Sequence, residues 1–357
     1  MDTIKIIENR SEIAAGTRGA SLGIDALKIA ALNNNSDFFN KYEHIEIEHQ
    51  NHLLGQPVAQ PYAKRIEGLA KIYDRVSRTV SRELIGRRFP LVIAGDHASA
   101  GGTIAGVKKA FPFLKLGVIW IDAHADVHSP FTTPSGNMHG MPLAIALGID
   151  NIDCARNEPD TDTQDLWEHL KHIGGANSKI TPNDLIYIGV RDTEPEEDYL
   201  ISKFGIKNYS IAELNRLGAL AVAKQTLQQL AHCEVLYVSF DVDSMDCELV
   251  SRGTGTPVPG GISQQQATDL VLTLLESPKV CCFEMVEINP ILDTKGNMMA
   301  DTAFKILEQA TKTIEGRPTK AFSLQNTATR NPSTTTTTIT SAGLPPTYNP
   351  AKNNIII

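Results

Sequence analysis

The sequence has no run of Lys and Arg, no uncharged apolar stretch long enough to cross a bilayer, and only five cysteines among 357 residues. Each shortage excludes something. With 41 acidic residues against 33 basic ones and a formal charge of −8, no basic stripe is available to meet phosphates, which argues against nucleic acid or an anionic membrane as partner. Nothing approaches the roughly 20 apolar residues of a spanning helix. The opening residues "MDTIKIIENRSEIAAG" carry charge throughout, where a secretory signal would place about 7 to 15 apolar residues. Cys154, Cys233, Cys247, Cys281 and Cys282 form an odd set without C-x-x-C spacing. That pattern suits reduced, mostly buried thiols in a cytoplasm better than a disulfide framework or a zinc site. The expected partners are small molecules or copies of the chain itself.

What is present is the composition of a globular protein, 41% hydrophobic and 21% charged. Short β-rich runs at 4–8, 44–48, 91–95, 117–121, 185–189, 234–240 and 280–288 are near-continuously apolar in several cases, as strands covered on both faces of a parallel sheet are. Amphipathic stretches at 64–86, 164–173, 211–231 and 264–276 alternate with them, which predicts an α/β fold. No composition break or internal repeat divides residues 1–316, so they read as one catalytic domain. Its final helix runs roughly from Asp301 to Glu315, with Gly316 and Pro318 as stop signals. Beyond it, 317–357 is rich in Thr, Asn and Pro with little to bury, and reads as a largely disordered tail.

Three of the runs end in charge. "LVIAG" leads into Asp96 and His97, "GVIWI" into Asp122, His124 and Asp126, and "EVLYVSF" into Asp241 and Asp243. In a parallel sheet the carboxyl ends of strands share one edge, so these groups converge there. Asp96 taken alone reads as a turn residue. The others form a set: four carboxylates crowded into a partly buried crevice would repel one another and lose solvation, at a cost of several kcal/mol. Two divalent cations cancel that charge, which makes His97, Asp122, His124, Asp126, Asp241 and Asp243 candidate metal ligands. Four oxygen donors with two imidazoles and no thiolate favour Mn²⁺ over structural zinc. Two such ions can share a bridging solvent molecule and hold it as hydroxide near neutral pH, the nucleophile of a hydrolase.

Taken in order, "GTRGASLG", "GDH", "DAHAD", "TTPSGNMHGMP", "GVRDTEPEE", "SFDVDSMD", "GTGTPVPGG" and "VEINP" resemble the ureohydrolases, the arginases among them, across most of residues 4–316. The resemblance implies a three-layer α/β/α sandwich on a mainly parallel eight-stranded sheet (arginase/deacetylase-like) and two Mn²⁺ ions per subunit. It also implies a homo-oligomer, trimer or hexamer, and urea release from a guanidino compound, L-arginine giving L-ornithine first. Agmatine or a guanidino acid is the alternative substrate, and a catalytically silent metal-binding assembly protein the third reading. Asp126 would orient the hydroxide and carry a proton to the leaving amine, His139 would shuttle protons, and Glu287 would hold the guanidinium with Thr256 nearby. Thr133, Ser135 and Asn137 match the segment that contacts the substrate's α-carboxylate, and Glu194 and Glu197 the acidic pair near its ammonium. Two positions depart from the pattern. Cys247 stands where a Pro is usual, and His128 replaces an Asn that commonly binds the α-carboxylate. The imidazole N–H can still donate to that group.

Overall fold

Strands buried on both faces need apolar side chains at every position, and the runs named above meet that requirement. The computed structural model describes residues 3–175 and 177–318. In it the runs form β1 (Thr3–Asn9), β2 (Glu43–Ile47), β3 (Arg88–Ala94), β4 (Leu116–Ile121), β5 (Leu185–Ile188), β7 (Val235–Asp241) and β8 (Val280–Val286), while a further strand, β6 (Lys207–Tyr209), closes one edge. The order is β2-β1-β3-β8-β7-β4-β5-β6, and every pairing is parallel, so the expected mainly parallel sheet is wholly parallel. β6 had no sequence signal because "KNY" offers no apolar run, and only Tyr209 in it is buried.

Helices α1 (Gly23–Asn33), α2 (Phe38–Lys41), α3 (Ile66–Ile85), α4 (Ser99–Ala110), α5 (Pro142–Leu147) and α6 (Thr161–His172) belong to the first half of the chain. They are followed by α7 (Pro195–Phe204), α8 (Ile211–Leu217), α9 (Ala219–Gln229), α10 (Gln264–Leu275) and α11 (Met298–Gly316). Successive strand residues face opposite layers. Val118 and Trp120 pack into a core with α3, α4, α5 and α6, whereas Ile119 and Ile121 pack into one with α1, α9, α10 and α11. The three layers are therefore written in the period-two pattern of each strand.

Two departures from the sequence reading have local causes. The stretch 211–231 is two helices because Gly218 takes φ 85°, a left-handed value open to glycine at little cost. Helix α4 was missed because Gly101, Gly102 and Gly106 lower its propensity. They are there for close packing on α3: a Cβ at Gly101 would lie 2.2 Å from the Tyr73 hydroxyl, and one at Gly106 2.8 Å from Val80 Cβ.

Arg317 and Pro318, the first residues of the tail expected over 317–357, lie within the described residues. Arg317 is buried, and its guanidinium donates to the carbonyls of Leu275, Ser277 and Val280 at 2.8, 2.9 and 2.7 Å, tying the end of α11 to the start of β8. Residues 319–357 lie outside the described residues. Removing them is expected to leave the melting temperature and metal content of the remaining chain near their full-length values, because no candidate ligand is lost. Arg317→Ala is expected to cost about 1 to 3 kcal/mol in denaturant unfolding, since three carbonyls lose a charged donor. Loss of metal on truncation would show the boundary to be misplaced.

Candidate active site

Because all eight strands run parallel, the carboxyl ends of β3, β4, β5, β7 and β8 lie along one edge, and each is followed by a polar loop. Gly95, directly after β3, permits a close approach: a Cβ there would lie 2.4 Å from the Ser11 carbonyl. Asp96 keeps its turn reading. Its N–H donates to the Ser11 carbonyl at 3.0 Å and its Oδ2 accepts from Ala14 N–H at 3.0 Å, so it anchors the loop after β1. Burial, and then the charge of Glu287, pushes its carboxyl up to about 7.

The six candidate ligands meet at two poles. At the first, His97 Nδ1 faces Asp122 Oδ2, Asp126 Oδ2 and Asp241 Oδ2 at 3.0, 3.2 and 3.0 Å. At the second, His124 Nδ1 faces Asp122 Oδ1 and Asp243 Oδ2 at 3.4 and 3.1 Å. Asp122 thus spans both poles with its two oxygens. It is fully buried beneath the site, and its Oδ1 also accepts from His124 N–H at 2.7 Å.

Whether this set fits a cation is decided by what the donors lack. His97 Nδ1 and Asp122 Oδ2 are buried without a hydrogen bond of acceptable geometry, although they are only 3.0 Å apart. Lone pairs pointed at a common centre are what a divalent ion satisfies. The electrostatics agree. Burial, then the charge of Asp122, pushes Asp126 up to about 6, and burial together with neighbouring carboxylates also raises Asp241 and Asp243. In each of the triads His97–Asp122–Asp126 and Asp122–His124–Asp243, the donor atoms lie within 4.8 Å of one another. The residues fit.

Except for Asp122, every site residue named from the sequence lines a single cavity of about 280 Å³. Glu287 follows β8 and is almost wholly buried. Its Oε1 accepts from His97 N–H at 2.9 Å and meets His139 Nδ1 at 3.1 Å, whereas its Oε2 is buried with no hydrogen-bond partner. Burial works against a charge on His139, but the Glu287 carboxylate outweighs it and pushes the imidazole up to about 9. Thr256, expected beside the guanidinium, donates its hydroxyl to Asp243 Oδ2 at 2.9 Å and so braces a candidate ligand. Asp126 and Glu287 both sit at positive φ, 51° and 67°. Such backbone costs on the order of 1 to 3 kcal/mol per residue and persists where the surroundings over-determine it, commonly at functional sites.

The far end of the cavity is acidic. His128 Nδ1 meets Thr132 Oγ1 at 3.0 Å, and its Nε2 meets Glu194 Oε2 at 3.1 Å, with Glu197 Oε2 at 3.6 Å. The Glu194 carboxylate only accepts, so in this hydrogen bond the Nε2–H of His128 is the donor and is already engaged. The hydrogen bond from His128, set against burial, holds Glu194 down to about 2, while burial raises Glu197. Glu194 and Glu197 also form a capping box on α7, which fixes both carboxylates to a rigid helix end. Thr133 Oγ1 accepts from Ser135 N–H and Gly136 N–H at 3.3 and 2.9 Å, holding the turn that presents Ser135 and Asn137.

Three contributors escaped the sequence reading. Asp192 lines the cavity 3.6 Å from His124 Nε2, and its only signal was its place in the acidic stretch "RDTEPEE". Arg191 beside it donates to the carbonyls of Gly189, Asp243, Ser244, Val258 and Pro259 and so laces together the loops that follow β5 and β7. Lys64 donates to Asn137 Oδ1 at 3.2 Å. A separate grouping of Asp184, His232 and Cys233 lies where β5 and β7 begin, but the Lys115 ammonium, 3.2 Å away, neutralises the same Asp184 oxygen. Among the described residues no helix is long and apolar enough to cross a membrane.

Comparison with known proteins places this geometry. The model of the Arginase family matches residues 6–312. An arginase of Bacillus subtilis (strain 168) is 33% identical over 314 residues, covering 86% of this chain and 96% of its own. Among solved structures, Bacillus caldovelox arginase aligns with a TM-score of 0.75 at 31% identity, covering 89% of this chain and 99% of its own. Entamoeba histolytica arginase in complex with L-ornithine aligns with a TM-score of 0.73 at 26% identity, covering 88% and 100%.

Proposed function

The chain belongs to the arginase family, hydrolases of a C–N bond in linear amidines, and on that premise we propose that it cleaves the guanidinium group of L-arginine to L-ornithine and urea. The observation that carries the reading is Glu287 Oε2, a buried carboxylate oxygen without a donor beside a cavity lined by five of the six metal-type ligands. A guanidinium presents a planar fork of N–H donors that fits such an oxygen. Two bound divalent ions, Mn²⁺ first for this donor set, would be held by His97, Asp122, His124, Asp126, Asp241 and Asp243 and would supply an activated water at neutral pH.

The chain's own groups supply the rest. Glu287 binds the guanidinium and holds its carbon within reach of attack, which removes most of the entropic cost of the encounter. Asp126 accepts a proton from the attacking water and carries it to the departing amine. His139, kept cationic by Glu287, is placed to deliver a second proton. Ser135, Asn137 and His128 offer donors to an α-carboxylate, with Thr133 fixing their turn, and Glu194 and Glu197 offer acceptors to an α-ammonium. The same reading carries a homo-oligomer, trimer or hexamer, and a cytoplasmic setting suited to five free thiols.

Urea release by the Mn²⁺-loaded protein across arginine, agmatine and guanidinobutyrate is the test. Chelation is expected to abolish it and to lower the melting temperature, by roughly 2.7 kcal/mol of stability if the ions are present at a hundredfold their Kd, and Mn²⁺ to restore both. Full activity in a preparation verified to be metal-free would sink the mechanism.

A further inference from the structure

A substrate with an α-carboxylate brings negative charge to a cavity that already holds Glu194 and Glu197, and no Lys or Arg is among the described residues that line it. An ammonium stands behind that lining. Lys64, in the loop before α3, donates through Nζ to Asn137 Oδ1 at 3.2 Å, and Asn137 lines the cavity together with Ser135.

That bond decides which way the Asn137 amide faces. An ammonium only donates, so the amide oxygen turns to Lys64 and the NH₂ turns away from it. The NH₂ makes no hydrogen bond with the described residues, and it has room because residue 16 carries no side chain: a Cβ on Gly16 would lie 2.7 Å from Asn137 Nδ2. The neighbouring hydroxyl is arranged alike. Ser135 Oγ accepts from Asn137 N–H at 3.1 Å, which leaves its O–H to donate. The two loops do not need the Lys64 side chain to stay together, because Lys64 N–H donates to the Gly136 carbonyl at 2.9 Å and Ala63 and Ile66 are packed in the core.

We propose that Lys64 is a positioning residue for substrate choice: it holds the Asn137 NH₂ toward the substrate's α-carboxylate and sets a positive charge behind it. The inference rests on the arginine reading and deepens it. Without Lys64 the amide loses what fixes its ends, and an oxygen turned toward the carboxylate repels it where the NH₂ would donate. Agmatine has no carboxylate, so its binding does not register the change.

Full-length wild type, Lys64→Met and Lys64→Gln, loaded with Mn²⁺, are compared in urea release from L-arginine and agmatine and in L-ornithine binding by calorimetry, with the melting temperature as control. Lys64→Met is expected to raise KM for L-arginine about tenfold while kcat stays within about twofold, and to leave KM for agmatine within about twofold. L-Ornithine, which keeps the α-carboxylate, is expected to bind about tenfold more weakly. Lys64→Gln loses the charge but keeps a donor, so its KM for L-arginine is expected to rise about threefold, and it decides the matter if Lys64→Met does not fold. An unchanged ratio of arginine to agmatine efficiency would overturn the proposal, and so would equal losses on both substrates with a lowered melting temperature, the mark of a purely structural role. A wild type without preference for L-arginine defeats the substrate reading and takes the proposal with it, whereas a preference that survives in the variants defeats the proposal alone.

Discussion

Asp122→Ala is expected to strip both ions and to leave urea release at least about a hundredfold below wild type, whereas Asp243→Ala retains the ion beside His97. The difference follows from reach. Asp122 faces both imidazoles with its two oxygens, and Asp243 faces His124 alone. Removing one member of a buried charge cluster costs about 3 to 5 kcal/mol, or roughly a hundredfold to several thousandfold in affinity. The first pole is then left with Asp126 and Asp241 beside His97, one oxygen donor short, and the second with Asp243 beside His124. His139→Ala should differ in kind: it touches Glu287, so turnover falls while both ions remain. Metal analysis of the purified variants beside urea assays separates these outcomes, and an Asp122→Ala protein that keeps two ions would refute the shared-ligand geometry.

L-Arginine is expected to exceed agmatine in kcat/KM by at least about tenfold, because site groups left unsatisfied cost about 1 to 3 kcal/mol each. The structure refines why. His128 Nε2–H, the donor that replaces an amide, is held by Glu194 at 3.1 Å. An α-ammonium arriving at Glu194 supplies that carboxylate with another cation and releases the imidazole N–H to the α-carboxylate. Agmatine brings no carboxylate, so it cannot use the released donor. Ser135→Ala and His128→Ala should therefore slow arginine more than agmatine and narrow the gap. Equal or greater efficiency with agmatine would overturn the substrate assignment while leaving the metal chemistry standing.

The candidate ligands were legible because they follow apolar runs directly in sequence, and the parallel sheet does the rest. Strand order was not, since nothing in "VCCFEMV" says that it lies between β3 and β7. Nor was the His128–Glu194 pair, whose members are far apart in the chain and meet only because β4 and β5 are neighbours. The left-handed backbone at Glu287 leaves no trace in residue type, whereas Asp126 is of a type that tolerates it. Thr256 was named for the guanidinium, but its hydroxyl holds Asp243, a contact that motif matching does not resolve. The helix break at Gly218 and the glycines of α4 could be read only once their neighbours were in place.

The strand order has a consequence for how the chain comes into being. β8 is the last strand to be synthesised, yet it lies between β3 and β7 at the middle of the sheet. A nascent chain stopped short of residue 280 can build β2-β1-β3 and β7-β4-β5-β6 only as two fragments, each with a bare apolar edge where β8 should pair. The ribosome thus releases a molecule whose halves have waited for one late segment to insert between them. Premature termination leaves two exposed templates for aggregation in place of a smaller enzyme.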